Sequence, residues 1–253
     1  MHFPVTIPIG DHQVHLHFIC EVLAYSIGFR YYLYIRRHSN DLISDEQRLW
    51  IFLGATAGGF FGGHLLGILE NPSDWSSMTW RSFPFYFMGN KTVVGGFLGG
   101  LIGVELTKKM LKVTTSSGDM MVFPLLLGNI IGRIGCFLEG IHDGTHGTAS
   151  NLPWAIDFGD GIRRHPAPLY EILFLVVWWI GIVQLERRFT LTNGSRFKIY
   201  LVGYLLFRFT SEFIKPVYFL EIGLSVIQVA CLSGLLYYWK VFAKPQQLIA
   251  LRN

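Results

Sequence analysis

The sequence predicts an all-α integral membrane protein with about seven transmembrane helices, and three observations carry that reading. Of 253 residues, 51% are hydrophobic and only 15% charged, against about 25% charged in an ordinary soluble domain. Mean hydropathy is +0.39. Apolar runs close to the length of a bilayer crossing recur along the chain, separated by charged or turn-rich segments. At roughly 20 residues a span, seven spans take about 140 residues and leave about 110 for loops. Residues 1–253 therefore read as one polytopic membrane domain without a large soluble appendage. The same composition excludes intrinsic disorder, collagen-like repeats and a disulfide scaffold.

The first apolar run, 17–36, follows a stretch free of Lys and Arg, so it reads as a retained anchor rather than a cleaved leader. The second and third, 49–69 and 92–107, carry GATAGGFFGGHLLG and GGFLGGLIG. Glycine at four-residue spacing lets a second backbone or a lipid headgroup come close, and plain helix packing is the expected use of most of these glycines. The fourth run, 119–139, ends in GRIGCFLEG; the fifth, 167–185, opens on HPAPLYE; the sixth and seventh cover 199–214 and 218–239. Between them lie SNDLISDEQR, the Trp-rich ENPSDWSSMTWRSFPF, KKMLKVTTSSGD and a long irregular segment at about 140–166.

Lys and Arg set the expected orientation. With the N-terminus outside, 13 of the 21 fall on the inner side, five (Arg81, Lys91, Arg163, Arg164, Lys215) on the outer side, and Arg30, Arg133 and Arg208 inside spans. The positive-inside rule then gives N-out, C-in. It also accounts for the net charge of +4 without a nucleic-acid partner. With no eukaryotic sorting signal at either end, a bacterial inner membrane is the expected location.

A charge at mid-span costs about 2.5–3.5 kcal/mol on insertion scales, which marks it as functional by default. Glu21, Arg133, Glu139, Glu171, Arg208, Glu212 and Glu221 all fall at one depth, toward the outer leaflet. Arg208 and Glu212, at i and i+4, suit a local ion pair. Arg133 and Arg208 lie on different spans. Two guanidiniums facing one cavity repel unless an anion joins them, and the guanidinium fork matches phosphate, so a phosphate-bearing ligand is expected there. A wholly internal ion-pair network is the alternative.

The segment from 140 to 166 reads as a lid on the outer face, rich in Gly, Asp, His and Pro. His142, His146 and His165 are its candidates for proton transfer, with His165 best placed, six residues before Glu171. Cys20, Cys136 and Cys231 show neither disulfide pairing nor zinc spacing, and no cofactor or metal is expected. Nucleophile-elbow, Walker and dinucleotide motifs are absent from the sequence.

Taken in order, the Gly-rich second and third spans, GRIGCFLEG, HPAPLYE and GYLLFRFTSEF resemble the prolipoprotein diacylglyceryl transferase family over most of the chain. The resemblance implies transfer of a diacylglyceryl group from phosphatidylglycerol to the cysteine of a lipoprotein signal sequence, at the outer leaflet of a bacterial inner membrane. It implies Arg133 and Arg208 as central; Glu139, His165 and Glu171, from the reading of the buried charges and the outer segment, complete the expected catalytic set. Gly95, Gly96, Gly135, Gly140, Tyr170 and Glu21 join the two arginines in the lipid-binding set. Independently of the resemblance, fixed positive charge suits a reaction whose leaving group is a phosphate ester. The chain departs from the family pattern at Val94, where a histidine is usual, at Cys136 for asparagine, at Ile141 for an acidic residue, and at HFICEV in span one. Those departures leave two further readings open: another acceptor for the same lipid chemistry, or a non-catalytic protein that binds or translocates anionic phospholipid.

Overall fold

The structure is a computed structural model, and it describes residues 3–70, 72 and 79–250. Much of the Trp-rich loop after the second apolar run lies outside the described residues. Each of the seven apolar runs contains a helix: α1 (Leu16–Arg37), α2 (Asp45–Glu70), α4 (Val93–Met110), α5 (Val122–Glu139), α6 (Ala167–Arg188), α7 (Ser195–Ser211) and α8 (Val226–Tyr237). Short helices α3 (Phe83–Gly89) and α9 (Trp239–Ala243) flank α4 and α8. By length and composition, three helical stretches among the described residues can cross a membrane alone: α2, Asp119–Asp143 around α5, and α6. Helices α3 and α4, bent by 93°, make a fourth if counted as one broken span.

Among the described residues the fold is all-α, with two short strand pairs beside the helices. The N-terminus forms an antiparallel hairpin, β1 (Thr6–Ile9) with β2 (His12–His15), turning at Gly10 with φ +61°. The 140–166 segment contains a second, two-residue pair, β3 (Ile156–Asp157) with β4 (Arg163–Arg164). The seventh run is also shorter as a helix than its hydropathy suggests. Residues 219–225 close a tight loop, with a bridge between Phe219 and Ser225 and Gly223 at φ +74°. Helix α8 starts only after Ser225, whose hydroxyl accepts from the Gln228 amide while Gln228 caps in return.

Glycine explains the tightest packing. Helices α2 and α4 approach so closely that a Cβ on Gly58 would lie 2.3 Å from the Gly99 carbonyl oxygen, and one on Gly62 would lie 2.5 Å from that of Gly95. Helix α1 packs on α5, and α5 packs on α6. Helix α7 runs through the middle: Tyr200, Leu201, Tyr204 and Leu205 are fully buried with Leu126 of α5, Leu175 of α6 and Ile227 of α8. A helix buried on most of its circumference cannot leave a charged side chain to solvent, so Arg208 must find its partners inside the protein.

Candidate active site

Three buried charges meet where α5, α6 and α7 converge. Arg133 is placed by α5, which ends six residues later at Glu139, just before Gly140 in a positive-φ conformation (+72°). Glu171 sits in the first turns of α6, whose start is fixed by Pro166 and Pro168. Arg208 projects from the buried α7. Arg133 and Arg208 are each 6% exposed and Glu171 2%, so each is out of water and must find its partner inside the protein.

Glu171 is that partner for both arginines. Its Oε1 lies 3.0 Å from Arg133 Nε and its Oε2 lies 3.8 Å from Arg208 Nη1. Neither contact has hydrogen-bond geometry: Arg133 Nε and Arg208 Nε and Nη1 have no hydrogen-bond acceptor among the described residues. Tyr204 Oη donates to Glu171 Oε1 at 2.7 Å. Arg208 Nη2 donates to Glu212 Oε1 at 2.6 Å, the i, i+4 pair expected from sequence, and Ser225 Oγ reaches Glu212 Oε2 at 3.4 Å. Two cations thus share one carboxylate electrostatically and keep several N–H groups uncommitted. Such a cradle has donors left over for a second anion with several oxygens.

The remaining expected residues sit around this cluster in separate pairs. Glu139 pairs with His15 at 2.8 Å, and Glu21 forms an ion pair with Lys91. His165 Nδ1 lies 3.2 Å from Tyr170 Oη, which also accepts from Trp154 Nε1 at 2.8 Å, tying the 140–166 segment to the start of α6. That segment is held to the end of α7 as well, through Thr148 N donating to the Ile214 carbonyl at 2.8 Å. Gly95 and Gly96 face α2, Gly135 faces His17 and Cys20 of α1, and a Cβ on Gly140 would lie 2.5 Å from Phe3 Cβ. Gly95, Gly135 and Gly140 are close-packing positions, whereas a Cβ on Gly96 would stand 3.8 Å from the Gly59 carbonyl oxygen, an ordinary contact. Of the histidines in the 140–166 segment, His146 is held below its ordinary pKa, by burial first and then by Arg164.

Sequence reasoning left Tyr204, Lys215 and His17 out of the site. Tyr204, Arg208 and Glu212 recur at four-residue spacing on one face of α7, a periodicity that could have drawn Tyr204 in. Lys215, just past the single turn Glu212–Ile214, faces the same charges. Burial, then the Arg208 and Arg133 guanidiniums, push its ammonium down from 10.5 to about 8. Finally, His17, Cys136 and Asp143 come together beside Arg133, their ligating atoms all within 4.8 Å of one another.

Comparison with known proteins adds an independent line. The family model described as prolipoprotein diacylglyceryl transferase matches residues 4–243. A phosphatidylglycerol–prolipoprotein diacylglyceryl transferase of Methylobacillus flagellatus is 32% identical over 251 residues, covering 89% of each chain. One of Coxiella burnetii is 31% identical over 84% of this chain and 81% of its own. One of Rhodospirillum rubrum is 26% identical over 96% of this chain and 93% of its own.

Proposed function

Because the chain belongs to the prolipoprotein diacylglyceryl transferase family, we propose that it moves the diacylglyceryl group of phosphatidylglycerol onto the cysteine thiol of a prolipoprotein signal sequence. The observation that carries the site assignment is the pair of buried arginines with uncommitted N–H groups. Their forks hold the lipid phosphate. In the reaction the substrate thiolate forms the C–S bond, the glyceryl C–O bond to phosphate breaks, and the departing glycerol phosphate keeps the electron pair. Guanidiniums aimed at that oxygen stabilise its developing charge.

Glu171 holds the two guanidiniums in register and compensates their charge before lipid enters. Glu139 and His165, at the outer ends of α5 and α6, handle the thiol proton, and Tyr170 anchors the lid above them. Glu21 and Lys91 form a polar lip beside the cluster. Gly95, Gly135 and Gly140 serve by packing closely enough to shape the cradle, and Gly96 stands beside Gly95 on α4. In this reading the chain is one polytopic domain in the bacterial inner membrane, with seven spans, N-out and C-in, and the site toward the periplasmic leaflet. The inner-side excess of Lys and Arg supports that orientation.

Expression in cells depleted of their own transferase tests the function. Restored growth with lipid-modified prolipoprotein, lost in the Arg133→Ala and Arg208→Ala variants, is the expected result. A stably inserted wild-type chain with prolipoprotein still unmodified would move the search to another acceptor or to lipid binding without chemistry.

A further inference from the structure

We propose that His17, Cys136 and Asp143 form a binding site for a divalent cation of the zinc class. The spacing of these residues in sequence gives no hint of it, because folding draws one ligand each from α1, α5 and the single turn Gly140–Asp143. All three ligating atoms lie within 4.8 Å of one another. His17 Nδ1 stands 3.4 Å from Asp143 Oδ1 yet makes no hydrogen bond, although it is closed off from solvent. That separation is long for a charged hydrogen bond. It is the ordinary edge of a tetrahedron around zinc, about 3.3–3.6 Å for nitrogen and oxygen ligands at about 2.0–2.2 Å.

The surroundings fit a cation. Thr145 Oγ1 donates to Asp143 Oδ2, which fixes the carboxylate and leaves Oδ1 turned toward His17, as outer-shell partners of metal ligands do. Arg133 Nη1 is 3.7 Å from Cys136 Sγ, but its charge is already engaged by Glu171 at 3.0 Å. A thiolate, a carboxylate and a neutral imidazole bring two negative charges, which a divalent cation neutralises, and binding itself removes the thiol proton. Thiolate with imidazole selects zinc or cobalt over magnesium or calcium. Three protein ligands leave a fourth position for water or an incoming thiol.

Cobalt titration of the chelator-treated, detergent-purified full chain tests the site without reference to transfer activity. One cobalt per chain is expected, with a thiolate-to-metal charge-transfer band and the visible bands of a tetrahedral centre, both erased by equimolar zinc. Cys136→Ser should abolish the charge-transfer band. His17→Gln and Asp143→Asn, which keep the thiol, should weaken binding at least about tenfold, and Cys20→Ser should change nothing. The proposal is overturned if the folded wild type shows no charge-transfer band at millimolar cobalt, or if the band survives Cys136→Ser. Should Cys136→Ser not fold, unchanged affinity in both other variants overturns it equally.

Discussion

Glu171 is the residue on which the two arginines meet, and its removal exposes what each contact does. Glu171→Gln leaves two buried guanidiniums facing one another without a shared anion, and breaking a buried pair in this way costs about 3–5 kcal/mol. A large drop in the thermal midpoint in detergent is expected, and partial recovery on adding an anionic phospholipid would show that a phosphate can replace the carboxylate. Arg133→Lys and Arg208→Lys keep the charge and lose the fork. Each should lower transfer by about 100-fold or more, as removal of one oxyanion donor does, and near wild-type rates in either variant would rule out bidentate recognition. Lys215 adds a pH dependence. Its ammonium titrates near 8 rather than 10.5, so positive charge beside the arginines is present below about pH 8 and lost as pH rises through it. If that charge assists lipid binding, kcat/KM falls above about pH 8, and Lys215→Arg moves the falling limb to higher pH; an unmoved limb separates Lys215 from the site. At this scale the sequence carried the depth of each charge but not its direction around the helix. Arg133, Glu171 and Arg208 shared both, whereas Glu139 and Glu21 shared only depth and turned to His15 and Lys91.

Helix α2 and helix α4 are joined by glycine, and the spacing that predicts close approach is visible in the residues themselves. Gly58→Ala or Gly99→Ala drives a methyl group to 2.3 or 2.2 Å from a backbone carbonyl oxygen, an overpacking expected to cost about 1–3 kcal/mol each. Gly181, in α6, has open space where its Cβ would stand, so Gly181→Ala should be neutral or stabilise by up to about 1 kcal/mol. Equal effects at the three positions, read from thermal unfolding in detergent, would contradict the packing seam. The seventh apolar run marks where sequence reading stopped short. Hydropathy treats 218–239 as continuous, but Gly223 and the Ser225 cap spend its first third on a loop. That loop places Ser225 against Glu212 and so reaches the arginine cluster. Capping chemistry was legible at Ser225 and Gln228 in principle. It was masked by the uniform apolarity around it.

The whole chain combines long apolar helices with a charged cluster buried among them, an arrangement that belongs to a membrane and not to water. Reporter fusions at the Lys108–Lys112 loop and at the C-terminus should both read cytoplasmic if the 13-to-5 distribution of Lys and Arg governs insertion; periplasmic activity at either would reverse the orientation. Composition made the fold class plain, because no arrangement of so few charges covers a soluble surface. Two elements stayed hidden: the N-terminal hairpin, four residues a strand and too short for periodicity to reveal, and the cluster of His17, Cys136 and Asp143, which exists only once α1 lies on α5. The central claim is diacylglyceryl transfer through a two-arginine phosphate cradle. It is tested most directly by incubating the purified chain with phosphatidylglycerol labelled in its diacylglyceryl group and a lipobox-containing peptide. Label should pass to the peptide cysteine with release of glycerol phosphate in the wild type, and fall at least about 100-fold in Arg208→Lys. A folded wild-type chain that binds phosphatidylglycerol but leaves the peptide unlabelled would contradict it.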